Sequence, residues 1–250
     1  MVCTIEVIEK PKLKNPVLIE GLPGIGFVAN ITALHLINEL KAKTFAKVRS
    51  SSFQDLAVTT ETGGTRSPTS ELYYAHSKTA DRDLVIWYGN TQSLTTAGQY
   101  ELCNHILDLA QELGCKLIIT VGGYKQDEAR TPPQTYTAAT DSGTASDIVK
   151  LGAKIMVGQV FGVAGLLIGL ARIRKTRGFS LLVETPGSYP DENAARVALS
   201  MLNRHLELNV DLTRLSAATE ETKKILESFG LVHTAREEKK KEEDKLRWYV

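Results

Sequence analysis

A chain of 250 residues has room for one large α/β unit or two small ones, and a hydrophobic share of 42% supplies a sizeable core. Thirty basic residues against 29 acidic leave a net charge of +1, so bulk electrostatics favours neither nucleic acid nor a membrane surface. Three widely spaced cysteines, Cys3, Cys103 and Cys115, form no C-x-x-C pair; they fit reduced, buried thiols in a cytoplasm rather than a disulfide framework or a zinc site.

The N-terminal MVCTIEVIEK carries Glu6 and Glu9 and no apolar h-region, so it does not read as a secretory signal. CTIEVI and PVLIEG are candidate strands. After the second, GLPGIG opens a helix predicted over Phe27 to Leu40, with Val28, Ile31, Leu34, His35 and Ile37 on one stripe. TFAKVR, DLAVTT and ELYYAH follow one another without a helix, which predicts an antiparallel meander or hairpin between Phe45 and His76. DLVIWYG and KLIITVGG are continuous apolar runs ending in glycine, as central strands buried on both faces require. Between them a helix is predicted over Ala97 to Leu113, its stripe Tyr100, Cys103, Ile106, Leu107 and Ala110, with Gly114 as C-cap.

QTYTAA is the next candidate strand. The most apolar stretch, Ile155 to Ala171, is short for a membrane span and is broken by Gln159 and four glycines, so it predicts a strand or turn feeding a buried helix. RIRKTR, Arg172 to Arg177, then serves a helix C-terminus and a solvated face in preference to nucleic acid. The strand FSLLVET leads to a helix over Asp191 to Leu208, and a last one is predicted over Glu220 to Phe229, stopped by Gly230. The alternation gives an α/β class: a mixed, mostly parallel sheet flanked by helices, with a core over residues 1–234.

Within GLPGIGFVAN, Gly24, Gly26 and Ala29 satisfy G-x-G-x-x-[GA], a pattern that lets backbone approach a pyrophosphate. The acidic residue expected at the end of the next strand is missing; Arg49 stands there, suited at most to a 2′-phosphate. Close strand-to-helix packing needs the same glycines, and that explanation is preferred, with an anion site left open. In VETPGSYPD, Glu184 and Tyr189 are candidate site groups, and Asp191 is a helix cap. The loop Gly122 to Tyr136 carries Lys125, Asp127, Glu128 and Arg130, equally suited to an active-site loop or a subunit contact. His35, His76, His105, His205 and His233 are scattered, without an i,i+4 partner for a metal. No catalytic residue, cofactor or metal is assigned.

From Ala235 the composition changes. AREEKKKEEDKLR has no face to bury; the pairs Glu237–Lys241 and Glu243–Arg247 give it a marginal helix, a flexible or semi-rigid stalk. It ends in Trp248, Tyr249 and Val250, a hydrophobic–Tyr–any-residue terminus. Trp248 offers apolar area, Tyr249 an aromatic body with a polar handle, and the Val250 carboxylate a charge for a lysine or a backbone nest. The competing explanation is a terminus folded back on its own core.

GLPGIGFVAN, GVAGLLIGLARIRKTRGFSLLVETPGSYPD and the Trp-Tyr-Val end together resemble the proteasome assembly chaperone family, in its archaeal branch. The resemblance implies a fold of the purine nucleoside phosphorylase type, no established catalytic activity, and a homotetramer or homopentamer in the cytoplasm. It further implies that Trp248, Tyr249 and Val250 enter pockets between neighbouring α-subunits of the 20S proteasome. Two alternatives stand beside it: a nucleotide- or nucleoside-processing enzyme using the glycine-rich turn, and a self-assembling scaffold whose tails pack on its own core or on another partner.

Overall fold

A computed structural model of the chain describes residues 3–128, 130–187 and 189–231. In chain order its elements are β1 (Cys3–Val7), β2 (Val17–Gly21), a 3-10 turn (Ile25–Phe27), α1 (Val28–Leu40), β3 (Lys43–Ser50), β4 (Val58–Thr59), β5 (Thr65–Arg66), β6 (Ser70–Ala75), β7 (Leu84–Gly89), α2 (Thr96–Glu112), β8 (Leu117–Lys125), β9 (Thr135–Ala139), α3 (Ser142–Lys150), β10 (Lys154–Ile155), α4 (Gly162–Ile173), β11 (Arg177–Thr185), α5 (Glu192–Leu206) and α6 (Leu215–Ser228).

Nine strands make one sheet in the order β1-β3-β6-β7-β2-β8-β11-β9-β10, and β4 pairs with β5 in a small separate hairpin. The centre, β7-β2-β8-β11, is parallel. Its strands are the near-continuous apolar runs, because helices cover both faces there. The wings are antiparallel: β6 on β7, β3 on β6 and β1 on β3 at one side, β9 on β11 at the other, with β10 parallel to β9 at the far edge. The expectation of a mixed sheet holds, and its mostly parallel part is corrected: the parallel centre is flanked by antiparallel wings. A parallel neighbour needs a helical crossover. No helix lies between β3 and β7, nor between β8 and β9, so those segments turn straight back. The meander expected over Phe45 to His76 is this wing.

Alternate residues of the central strands feed two cores. Val17, Ile19, Ile86, Ile119 and Val183 pack with α1 and α5 on one face. Leu18, Val85, Trp87 and Ile118 pack with α2 and α4 on the other. α1 is buried from Val28 to Ile37, since it lies between the sheet, α5 and α6. Trp87 is fully buried, and its indole Nε1 donates to Ser70 Oγ at 2.8 Å, which removes the desolvation cost of its one polar atom. The α2 stripe is as expected except at Tyr100, which is exposed. The apolar stretch Ile155 to Ala171 supplies the end of β10, a link and most of α4; no described helix is long and apolar enough to cross a membrane.

Candidate functional site

The carboxyl ends of the parallel strands are knitted together by the motifs singled out in the sequence. β2 runs into the glycine-rich turn, where Gly26 adopts φ 61° and its carbonyl accepts from Asp191 N at 2.9 Å. A Cβ on Gly26 would lie 2.6 Å from Thr185 Oγ1, and one on Gly123 would lie 2.2 Å from the Ile25 carbonyl oxygen. These contacts explain both glycines sterically: the turn packs on β8 and β11 too closely for a side chain. Asn30, the last residue of GLPGIGFVAN, donates through Nδ2 to the Gly21 and Gly89 carbonyls at 3.0 and 2.8 Å, tying the ends of β2 and β7.

The dinucleotide reading loses its geometry here. Its acidic partner belongs on the strand beside the first one. The strand after α1 is β3, separated from β2 by β6 and β7, and Arg49 on it is paired with Glu6 at 3.2 Å.

Asp191 is the N-cap of α5, accepting from Ala194 N at 3.0 Å through Oδ1 and from the Thr185 hydroxyl at 2.7 Å through Oδ2. Thr185 in turn accepts from Gly187 N at 3.2 Å, so the VETPGSYPD turn is closed by side chains from its two ends. Glu184 is buried, and both its oxygens are occupied. Oε1 accepts from Tyr136 Oη at 3.0 Å and pairs with Arg130 Nη1 at 3.2 Å; Oε2 accepts from Gln134 N at 3.1 Å and Arg130 N at 3.4 Å. Burial alone pushes a carboxyl up, but here the amides of Gln134 and Arg130, the Tyr136 hydroxyl and the guanidinium outweigh it and hold Glu184 below its ordinary range. Glu184 thus anchors the loop from Gly122 to Tyr136 through Arg130, Gln134 and Tyr136. Asp127, Glu128 and Arg130 sit on that loop as exposed residues, while Lys125, also exposed, is the last residue of β8.

Between this loop and the start of α5 opens a cleft of about 730 Å³, lined among others by Arg130, Pro132, Pro186, Tyr189 and Arg196. Tyr189 stands at its wall, 44% exposed. Arg196 is committed to Glu192 at 2.6 Å and to the Leu212 carbonyl at 3.0 Å. The described histidines are dispersed: His35 bonds the Asp211 carbonyl at 2.7 Å, His76 bonds Asp83 at 3.0 Å, and His205 packs edge-on against Phe179. His233 lies outside the described residues. Among the described residues no group of three His, Cys, Asp or Glu is arranged to hold a metal. All three cysteines are free and buried, and burial pushes the thiols of Cys103 and Cys115 up to about 12.

The PAC2 family model covers residues 18–229. The chain belongs to the PAC2 family. Pyrococcus furiosus PbaB, an archaeal proteasome activator, is 36% identical with a TM-score of 0.79, over 91% of this chain and 98% of its own. P. furiosus PbaA, an archaeal homologue of proteasome-assembly chaperone, shares the fold, with a TM-score of 0.74 at 23% identity over 90% and 95% of the two chains. The Methanocaldococcus jannaschii protein MJ1210 is 30% identical over 203 residues, covering 80% of this chain and 78% of that relative. The PAC2 match stops before Ala235. Trp248, Tyr249 and Val250, with the charged segment before them, lie outside the described residues.

Sequence reasoning overlooked two residues at this edge, Asn30 and Glu20. Both are buried polar groups inside apolar runs, and that contrast is the signal that marks them.

Proposed function

We propose that this PAC2 protein is a proteasome-assembly-chaperone-like binding module, a cytoplasmic homo-oligomer whose C-terminal Trp248, Tyr249 and Val250 enter pockets between neighbouring α-subunits of the 20S proteasome. One observation carries the reading: a PAC2 body 36% identical to an archaeal proteasome activator is followed by a hydrophobic–Tyr–any-residue terminus. Residues 1–234 form the body, of the purine nucleoside phosphorylase type, that sets the spacing of the tails; residues 235–250 give them reach and keep their apolar ends in solution. Several tails on one tetramer or pentamer raise avidity about 10²–10⁴-fold above a single weak tripeptide contact. The role is binding rather than catalysis. At the glycine-rich turn, Gly26 and Gly123 are accounted for by packing, and Glu184 by loop anchoring, so these residues give no support to a nucleoside-processing site.

The reading is tested by a single side chain. Tyr249→Ala leaves the oligomer unchanged in size-exclusion chromatography and cuts capture of archaeal 20S proteasome at least tenfold. Capture unaltered by Tyr249→Ala would move the partner surface off the tail.

A further inference from the structure

A second cleft, of about 410 Å³, lies where β2 and β8 run side by side. Strand order reverses at this point: α1 follows β2 and leads away to β3, while α4, on the opposite face, leads to β11. Open α/β sheets leave a crevice at such a reversal, outside the carboxyl ends of the strands. Here the crevice is closed in by the glycine-rich turn, the end of β8 and the start of α4. Leu22, Ile25, Val121, Phe161, Val163 and Leu182 make its walls mostly apolar.

Glu20 also lines this cleft, and it is 2% exposed. Its Oε1 accepts from Leu22 N at 2.8 Å. Its Oε2 is buried and has no hydrogen-bond partner among the described residues. Among the described residues no cation pairs with it. The titratable groups facing it are Cys103 from α2 and Tyr124 and Lys125 from β8, with Lys125 exposed; the α4 residues on the cleft, Gly162, Val163 and Ala164, carry no charge. A buried carboxylate without counter-charge is costly, so the group is held as the acid. With Oε1 engaged as an acceptor, the proton resides on Oε2. A neutral carboxylic acid in an apolar pocket is a hydrogen-bond donor in search of an acceptor.

We propose that this cleft binds a small, mostly apolar molecule carrying a carbonyl oxygen, which accepts from the Glu20 Oε2–H while its apolar part fills the space between Leu22, Val121 and Val163. α4 begins there with Phe161 as its N-cap and no side-chain cap, so the first-turn amides reinforce a site suited to an acceptor. Its lining residues all lie between Glu20 and Leu182, within the body.

The test uses the full chain, with benzamide as the carbonyl probe and benzylamine as its cationic counterpart, each titrated calorimetrically at pH 6 and pH 9. Burial pushes Glu20 up to about 8, so benzamide binding weakens about tenfold between the two. Cys103, held up to about 12, does not titrate in this window. Glu20→Gln keeps a donor in place and binds benzamide equally at both pH values. Gly24 lines the cleft with extended backbone (φ −155°, ψ −167°) and open space around an added Cβ, so Gly24→Phe folds, by circular dichroism, and no longer binds. Any one of the following overturns the proposal: no benzamide binding at millimolar concentration, binding unchanged in Gly24→Phe, a pH response that survives Glu20→Gln, or a preference for benzylamine.

Discussion

Glu20 and Glu184 sit on two strands of the parallel centre, both 2% exposed, and burial has opposite outcomes for them. Desolvation raises both. At Glu20 the Leu22 amide, with a smaller contribution from the Val121 amide, which lies outside hydrogen-bond geometry, pulls back too little, whereas at Glu184 the donors around it win. A lowered folded-state pKa means that Glu184 stabilises the fold above the ordinary carboxylate pKa, near 4.5, and that this contribution is lost as pH falls through its lowered value. Glu184→Gln keeps the shape and removes the charge, so it costs about 2 kcal/mol at pH 7, the range for hydrogen bonds to a charged group. Urea denaturation at pH 7 and pH 3.5 checks this: the gap between the two proteins narrows in acid, and a gap constant with pH would remove the charge from the explanation. Neither role was legible in the sequence. VETPGSYPD marks Glu184 as a candidate site group because of where it stands in the chain. Only the fold brings Arg130, Gln134 and Tyr136 around it.

At the scale of elements, long periodic segments were readable and short ones were not. α1 and α2 begin and end within a residue of the limits set by their apolar stripes, because a stripe on a long helix is a dense signal. α3 went unread: SGTASDIVK is nine residues with Gly143 inside it, and it buries only Thr144 and Ile148. Its Asp141 cap, accepting from Thr144 N at 2.8 Å, was the available cue. α6 starts at Leu215, earlier than Glu220, because Ala218, Thr219 and Thr222 make its buried face and are weak apolar markers. Strand direction is legible where strands follow one another without a helix, as in the antiparallel wing expected over Phe45 to His76. No local cue shows that β9 runs antiparallel to β11, and the parallel share of the sheet is overestimated there. The Asp191 cap was legible from the Pro-Asp step, and it does two jobs, holding α5 and the turn through Thr185. Asp191→Ala lowers stability by about 1–2 kcal/mol, the value of an N-cap and a buried hydroxyl bond. Thermal unfolding measures it; a loss below about 0.3 kcal/mol would show that the cap is dispensable.

At the scale of the whole molecule, body and tail carry different kinds of information. The PAC2 match spans residues 18–229, which hold the sheet and its flanking helices. The proposed role of the tail rests on residue type alone: Trp248, Tyr249 and Val250 follow a charged segment. The account holds that partner choice resides in them and that the body presents several copies at once. The measurement that bears on this most directly is the affinity of the full chain for intact archaeal 20S proteasome, set beside that of a chain stopped at Arg247, with oligomer size verified for each. The account predicts at least a hundredfold loss on removing Trp248 to Val250, with the oligomer unchanged. Equal affinity for the two chains would contradict it and place the contact on the PAC2 body.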